Sequence, residues 1–258
     1  MAGYIVYEGP SRLDGKPIVC IVTGVGNKSE WSKNEKTGPL AQVWILRSDV
    51  SPIQAVNDGE DESICGKCIL RGVIRKNPDG SSSNKMRSCY VDIKNAPRAV
   101  YQAYVDGKYP PLTDDVRWKN QATRLCAYGD SSAIPYSISK DLISRGNGKW
   151  TGYTHSKSSH ANPLKKLLMA SVHSKDEAEK MHKKGWRTFR TMSPGDSLMP
   201  NEIMCPASKE EGKRLTCETC LACSGTGPKN RRKDAVSIAI YAHGSPSKMG
   251  SYKRTFEV

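Results

Sequence analysis

The 258-residue chain is poor in several features that mark common classes of protein. Phenylalanine is nearly absent, with 2 residues against 11 Tyr and 5 Trp. No apolar run approaches the roughly 18 residues of a membrane-spanning helix. The opening stretch MAGYIVYEGPSRLDG lacks the basic-then-apolar order of a secretory signal. We therefore expect a cytoplasmic protein that does not enter a membrane.

Motifs of several enzyme classes are missing as well. The chain has no GxSxG turn for a hydrolase nucleophile and no HExxH helix for a zinc peptidase. The segment GVGNKS, which includes Gly24, lacks the length and the ending of a phosphate-binding loop. Any chemistry must therefore be sought in other residue patterns.

Positive charge is in excess. The 40 Lys and Arg residues against 26 Asp and Glu give a formal charge of +14. Such a charge favours a polyanionic partner such as nucleic acid. The alternative is a basic surface without a dedicated partner, because the basic residues are spread along the chain. The densest run, Lys229–Lys233, lies in a loop-like stretch and could touch phosphates.

The order of apolar and polar segments predicts an α/β fold. Residues 1–50 read as an N-terminal β-rich region, and from residue 120 strand patterns alternate with helix patterns up to AVSIAIYAHG. This alternation is typical of βαβ units with a parallel sheet. We expect a partial (β/α) barrel-like domain over residues 51–258, with cysteine-rich metal-binding loops at 65–89 and 205–223. The polar insert after Cys68 is expected to be a loop.

Polar side chains occur where the predicted strands end. Functional residues of parallel α/β folds gather at the carboxyl ends of the strands. This position identifies four candidate catalytic residues, namely Asp130, His155, His173 and Arg190. Asp130 and His155 could also form an acid–base pair.

Nine cysteines in a chain without a secretory signal indicate metal binding rather than disulfides. Two of them, Cys20 and Cys126, lie in apolar runs and are expected in the core. The densest group supplies four thiolates, enough for a structural zinc site or a [4Fe–4S] cluster. Its members are Cys205, Cys217, Cys220 and Cys223. Spacing does not decide between the two metals, since both prefer thiolate ligands.

The other group has three thiolates, Cys65, Cys68 and Cys89. Three ligands leave one coordination position open for a substrate, a water or a cofactor. The alternative is a structural site whose fourth ligand comes from elsewhere in the chain. The side chains that could supply that ligand are His155, His173, His243 and Cys126. Together the two groups could hold one cluster and one ion, or two clusters.

Several motifs taken in order, SICGKC, RSCYV, RLCAYGD, WTGYTH, MASV, GWRTFR and TCETCLACSG, carry a resemblance over nearly the whole chain. They resemble a family of uncharacterised phage- and plasmid-borne proteins, which implies a viral or mobile-element origin. A more distant likeness is to radical SAM enzymes, which fold as partial (β/α) barrels. That likeness implies a [4Fe–4S] cluster on Cys65, Cys68 and Cys89. The third thiolate departs from the CxxxCxxC motif of those enzymes.

Three functional hypotheses follow. The first is a phage-type metalloprotein with an iron–sulfur cluster, similar in architecture to radical SAM enzymes. The second is a zinc-stabilised nucleic-acid-binding protein that acts in phage replication or host takeover. The third is a host-interaction protein without catalysis, in which metal only holds the fold.

Overall fold

The structure is a computed structural model that describes residues 2–212, 215–226 and 236–256, except the side chains of 159 and 160. The basic run Lys229–Lys233 lies outside these residues. The strands, in chain order, are β1 Gly3–Pro10, β2 Pro17–Thr23, β3 Ala41–Arg47, β4 Val73–Lys76, β5 Ser82–Lys85, β6 Thr123–Tyr128, β7 Trp150–Thr151, β8 Tyr153–Thr154, β9 Met169–Val172, β10 Thr188–Met192, β11 Glu202–Met204 and β12 Ser237–Tyr241. The helices are α1 Pro52–Asp58, α2 Glu62–Cys65, α3 Ala96–Val105, α4 Tyr136–Arg145, α5 Lys175–Lys183, α6 Cys217–Cys220 and α7 Pro246–Phe256.

Two five-stranded sheets form the frame of the molecule. The first has the order β1-β2-β3-β6-β7, with antiparallel pairing up to β3 and parallel pairing from β3 to β7. The second has the order β11-β12-β10-β9-β8, and all its neighbours are parallel. Only Gly152 separates β7 from β8, so one segment passes from the first sheet into the second. The predicted α/β class with parallel sheets is confirmed, and the described strands form no closed barrel.

The first fifty residues form three strands, as the apolar runs predicted. Strand β3 then pairs in parallel with β6, so these strands continue the sheet of the later βα segments. Strands β2 and β3 are buried along nearly their whole length because both faces of this sheet are covered. No break in strand pairing marks the predicted boundary after residue 50.

A close approach between β3 and the end of β6 requires glycine at position 129. Gly129 has a φ of +80°, which L side chains rarely adopt. A Cβ there would lie 2.7 Å from the carbonyl oxygen of Ile45. The turn that follows β6 therefore runs directly against β3, and Asp130 is placed at the edge of the sheet.

The segment between Cys68 and Cys89 contains a hairpin, so the prediction of a loop there was wrong. Strands β4 and β5 pair antiparallel across the turn Asn77–Gly80. The Ser and Asn residues of β5 favour strands weakly. Tertiary bonds hold them instead, because the Asn84 amide donates to the carbonyls of Val56 and Arg71, both at 2.9 Å.

No helix in the described ranges has the length and apolar character needed to cross a membrane.

Arg190 and Glu202 form a buried ion pair that joins β10 to β11. Their side chains are 1% and 0% exposed. Arg190 Nη2 donates to Glu202 Oε2 at 2.6 Å, and Arg190 Nε donates to Oε1 at 2.9 Å. The two parallel hydrogen bonds compensate the desolvation of both charges.

Replacement of one partner should be costly. We expect Glu202→Gln to lower the free energy of unfolding by about 3–5 kcal/mol, because the Arg190 charge would remain buried without compensation. Urea unfolding followed by circular dichroism measures this. The exposed Glu179→Gln on α5 is the control and should change stability by less than about 0.5 kcal/mol. Equal losses in the two variants would contradict the importance of the ion pair.

Candidate functional site

Three of the four predicted site residues meet at the carboxyl ends of neighbouring strands. Asp130 follows β6, His155 follows β8 and His173 follows β9. The structure brings them together because β8 pairs in parallel with β9 and lies one residue beyond β7, which pairs with β6. Parallel strands present their carboxyl ends at one edge of a sheet.

Asp130 organises this edge with its carboxylate. The carboxylate is buried and accepts hydrogen bonds from the Thr154 hydroxyl at 2.8 Å, the His155 backbone N–H at 2.8 Å and the Ser132 backbone N–H at 2.9 Å. It therefore meets His155 at the backbone and not at the imidazole ring. Its contacts are those of a positioning group that holds the β8 end against the turn after β6.

The imidazoles of His155 and His173 stack face to face. Their centroids lie 5.7 Å apart with an interplanar angle of 16°. Among the described residues, His155 Nε2 and both ring nitrogens of His173 are buried without a hydrogen-bond partner. Burial, with the neighbouring His155 charge as a smaller cause, lowers the pKa of His173 to about 3. Burial also lowers the pKa of His155. The pair is neutral at pH 7 and has lone pairs available for a proton or a ligand.

The histidine pair opens onto a cavity of about 560 Å³. The opposite wall is the turn after α2, where Cys68 lies. Lys157 and Glu177 border the same space and form an ion pair at 2.6 Å. The cavity therefore connects the strand ends with the first cysteine group.

Arg190 lies on the other face of β10. Phe189 and Thr191, its neighbours in the strand, line a second cavity of about 270 Å³. The Arg190 side chain instead contacts Glu202. Alternate residues of a strand face opposite sides. Arg190 therefore does not line a cavity with the two histidines, and its contacts are those of a residue that joins two strands.

The first cysteine group is held by the turn that follows α2. Cys65 ends α2, and Gly66 takes a φ of +58°, which turns the chain toward Cys68. The Leu70 carbonyl accepts from the backbone N–H of Cys89 at 3.0 Å and so places the third thiol beside the first two. Arg71 clamps the turn, donating to Asp61 at 2.7 Å and to the Gly66 carbonyl at 3.0 Å.

Cys89 lies close enough to Cys65 and Cys68 to affect the ionisation of these two thiols. Burial raises the pKa of Cys65, and the charges of Asp61, Cys68 and Cys89 raise it further. Burial and the Cys89 charge raise the pKa of Cys68 to about 12. Protonated thiols at these positions are therefore favoured until a cation compensates the thiolate charge.

The second cysteine group lines one small cavity of about 20 Å³. Cys205 follows β11, Cys217 and Cys220 lie on α6, and Cys223 follows that helix. A capping box of Thr216 and Thr219 starts the short helix. Burial is the largest cause of the raised pKa of Cys205, Cys217 and Cys223, and the neighbouring thiols raise all three further.

This group also connects distant parts of the chain. The Cys205 backbone N–H donates to Ala239 of β12 at 2.8 Å, and the Cys217 N–H donates to the Lys36 carbonyl at 3.1 Å. The Cys223 carbonyl accepts from Gly152, between β7 and β8, at 2.8 Å. A four-residue helix is unstable alone, so these bonds hold it in place.

Neither group is arranged as a finished metal site. Across residues 2–212, 215–226 and 236–256, no three His, Cys, Asp or Glu side chains form a group that could hold a metal ion as placed. The cysteine segments 65–89 and 205–223 are also not metal-binding loops throughout, because they contain the β4–β5 hairpin and α6. All nine cysteines are free thiols. Cys20 is fully buried, and Cys126 lies in a bulge with a φ of +63°.

The sequence patterns did not identify two side chains as candidate functional residues, Arg124 and Tyr90. Arg124 lies in β6 and donates to the Tyr90 hydroxyl at 2.9 Å. Both residues line a second cavity. Two features of the sequence could have identified them. One is a charged residue inside the apolar strand run TRLCAY, and the other is an aromatic residue directly after Cys89.

Searches against protein-family models, curated proteins and solved structures found no match to this chain.

The low pKa of His173 predicts an acid-dependent stability. Its folded-state pKa lies below its ordinary value of about 6.5, so the unfolded chain binds the proton more tightly. The stabilisation by neutral His173 is present above pH 6.5 and is lost as the pH falls toward 3. Between pH 7 and pH 5 we therefore expect a falling thermal midpoint, with a shallower slope for His173→Gln.

Differential scanning calorimetry over this range, with Lys140→Gln as the control, gives the comparison. Lys140 is an exposed residue of α4, and its replacement should leave the slope unchanged. A His173→Gln protein with the same pH slope as the unmodified chain would contradict the role of this ring.

Proposed function

We propose that this chain is a metalloprotein with two cysteine centres. The group Cys205, Cys217, Cys220 and Cys223 holds a structural zinc ion, and the group Cys65, Cys68 and Cys89 holds an iron–sulfur cluster. The proposal rests on one observation, the difference in volume between the cavities that border the two cysteine groups. The cavity volume is about 20 Å³ among the four thiols and about 560 Å³ next to Cys68.

The small space suits a single ion. A cavity of 20 Å³ accommodates about one water-sized body, and a cluster of several iron and sulfide atoms exceeds it. Four thiolates complete the tetrahedral shell of zinc without an open position. Rotation about the Cα–Cβ bonds would turn the sulfurs inward, and metal binding would release the thiol protons. The ion would then secure the link from Cys205 to β12 and the link from α6 to the segment before β3.

The larger space suits a cluster with an accessible iron. Three thiolates leave one coordination position, and the adjoining cavity brings the neutral rings of His155 and His173 to the same space. A cluster supplies electron-transfer chemistry or an iron site for a further ligand. The open position and the unpartnered imidazoles favour an enzymatic role for this centre over a purely structural one.

The order of the strands supports a partial (β/α) barrel similar to that of radical SAM enzymes. The series β3, β6, β7/β8, β9, β10 and β12 runs in one direction, and the three thiols follow β3, its first strand. Cys89 follows Cys68 by 21 positions, where those enzymes have a compact motif. We extend the proposal to this architecture and to a phage or mobile-element origin. Free thiols of this kind require a reducing compartment, which favours the host cytoplasm.

Metal analysis of anaerobically purified protein tests the proposal. We expect one zinc per chain, together with iron and the visible absorbance of thiolate-ligated iron. Cys217→Ser should lose zinc and keep iron, whereas Cys68→Ser should lose iron and keep zinc. The two losses are expected to separate because the thiols lie in different groups.

Cys20→Ala is the control, since Cys20 is buried in the core outside both groups. It should keep both metals. A colourless protein that carries zinc alone would eliminate the cluster, and a metal-free unmodified chain would eliminate both centres even if a variant fails to fold.

A second candidate function is nucleic-acid binding, which the formal charge of +14 favours. Single-stranded DNA should bind with an affinity that falls steeply between 50 and 200 mM salt, because phosphate contacts release counterions. Fluorescence anisotropy with a labelled oligonucleotide measures this. Absence of binding at the lowest salt concentration would reject this function.

A further inference from the structure

A second cavity, of about 270 Å³, lies between the two cysteine groups. Its floor is one face of the second sheet, where alternate strand residues point inward. They are Tyr153, Ser171, Phe189, Thr191, Ile240 and Ala242. The walls come from the segments next to Cys89, Cys217 and the first half of α7. The cavity is therefore built from elements that are far apart in sequence.

The charge of this cavity is one-sided. Lys36, Arg124 and Lys248 line it, and no Asp or Glu does among the described residues. Buried Arg190, by comparison, is paired with the Glu202 carboxylate. A cavity with three cations and no acid favours a ligand with negative charge.

Tyr90 holds two of these cations in place. Arg124 donates to the Tyr90 hydroxyl at 2.9 Å, and Lys248 donates to the Tyr90 carbonyl at 2.8 Å. Lys36 Nζ lies 3.3 Å from His243 Nε2. The Tyr90 hydroxyl and carbonyl position Arg124 and Lys248 without cancelling their charge, so this positive charge remains available to an anion.

Aromatic rings form the remaining surface. Tyr153 and Phe189 lie with their centroids 4.4 Å apart on the floor, and Tyr90 and Tyr252 line the walls. Ser88 Oγ and His155 Nε2 also border the cavity, and both are buried without a hydrogen-bond partner in the described structure. Flat apolar faces and unpartnered polar atoms together fit a planar ring that carries hydrogen-bonding edges.

We propose that this cavity binds a small ligand that joins a phosphate group to a heteroaromatic ring, which is the chemistry of a mononucleotide. The phosphate lies among Lys36, Arg124 and Lys248, and the ring lies against Tyr153 and Phe189. The proposal goes beyond the metal centres and does not require them. Two sources share this chemistry, a free nucleotide and the phosphorylated end of a strand.

Isothermal titration calorimetry tests the proposal with the four ribonucleoside monophosphates, their nucleosides and inorganic phosphate. At least one monophosphate should bind about tenfold tighter than its nucleoside and than inorganic phosphate, because both parts of the ligand make contacts. Arg124→Gln and Lys248→Gln should each weaken that monophosphate about tenfold and leave the nucleoside nearly unchanged. A 5′-phosphorylated oligonucleotide that binds tighter than every monophosphate would identify the strand end as the source.

Lys140→Gln on α4 is the matched control, since this exposed lysine lies outside the cavity. It should leave binding unchanged. Equal affinity for nucleoside and monophosphate, equal effects of Lys248→Gln and Lys140→Gln, or no binding of any probe at millimolar concentration would overturn the proposal. Iron and zinc are quantified in the same preparation, so loss of the metal centres and failure of nucleotide binding are distinguished.

Discussion

Parallel pairing of strands is the constraint that organises this molecule. Once β3, β6, β7/β8, β9, β10 and β12 run in one direction, their carboxyl ends must collect at one edge. Asp130, His155 and His173 come from three different strands and reach the same place for this reason. The Asp130 carboxylate then fixes the end of β8 through hydrogen bonds from the Thr154 hydroxyl and the His155 backbone N–H. The site is thus a consequence of strand direction rather than of any local motif.

Burial affects the ionisation of most of the thiols in the two cysteine groups. Desolvation raises the thiol pKa of Cys65 in the first group and of Cys223 in the second, so thiolate at these two positions requires a compensating cation. The four-thiol group connects β12, the β7/β8 junction and the segment before β3. An ion there would add stability to the whole frame. In the three-thiol group, Cys68 instead borders a larger cavity that His155 and His173 also line.

The positively charged side chains also fall into two sets, which differ in the partners they contact. Arg47, Arg71, Arg145 and Arg190 are paired with carboxylates, and these pairs hold loops and strands together. The cations of the interior cavity have neutral partners instead. A carboxylate partner compensates the charge of a cation inside the protein, whereas a neutral partner leaves that charge uncompensated.

Local rules were sufficient for much of the fold. The apolar runs of β2 and β3, the Ser51 cap with Pro52 as the first residue of α1, and the amphipathic pattern of α5 depend only on neighbouring residues. These elements can therefore be predicted from the sequence. The β4–β5 hairpin could not, because its weak strand formers are held by the Asn84 bonds to α1 and to the end of the turn after Cys68.

The site divides in the same way. Residue type and position after a strand identified Asp130, His155 and His173, and cysteine spacing identified the two thiol groups. The alternation of side chains along β10 does not show which face of the strand lines a cavity. Arg190 was therefore a candidate catalytic residue, although its neighbours Phe189 and Thr191 line the cavity instead. The volume of the cavity beside each thiol group could not be predicted from the sequence either. The face of the sheet on which a side chain lies and the volume of a cavity both depend on how separate strands pair and pack. No single segment of the chain contains that information.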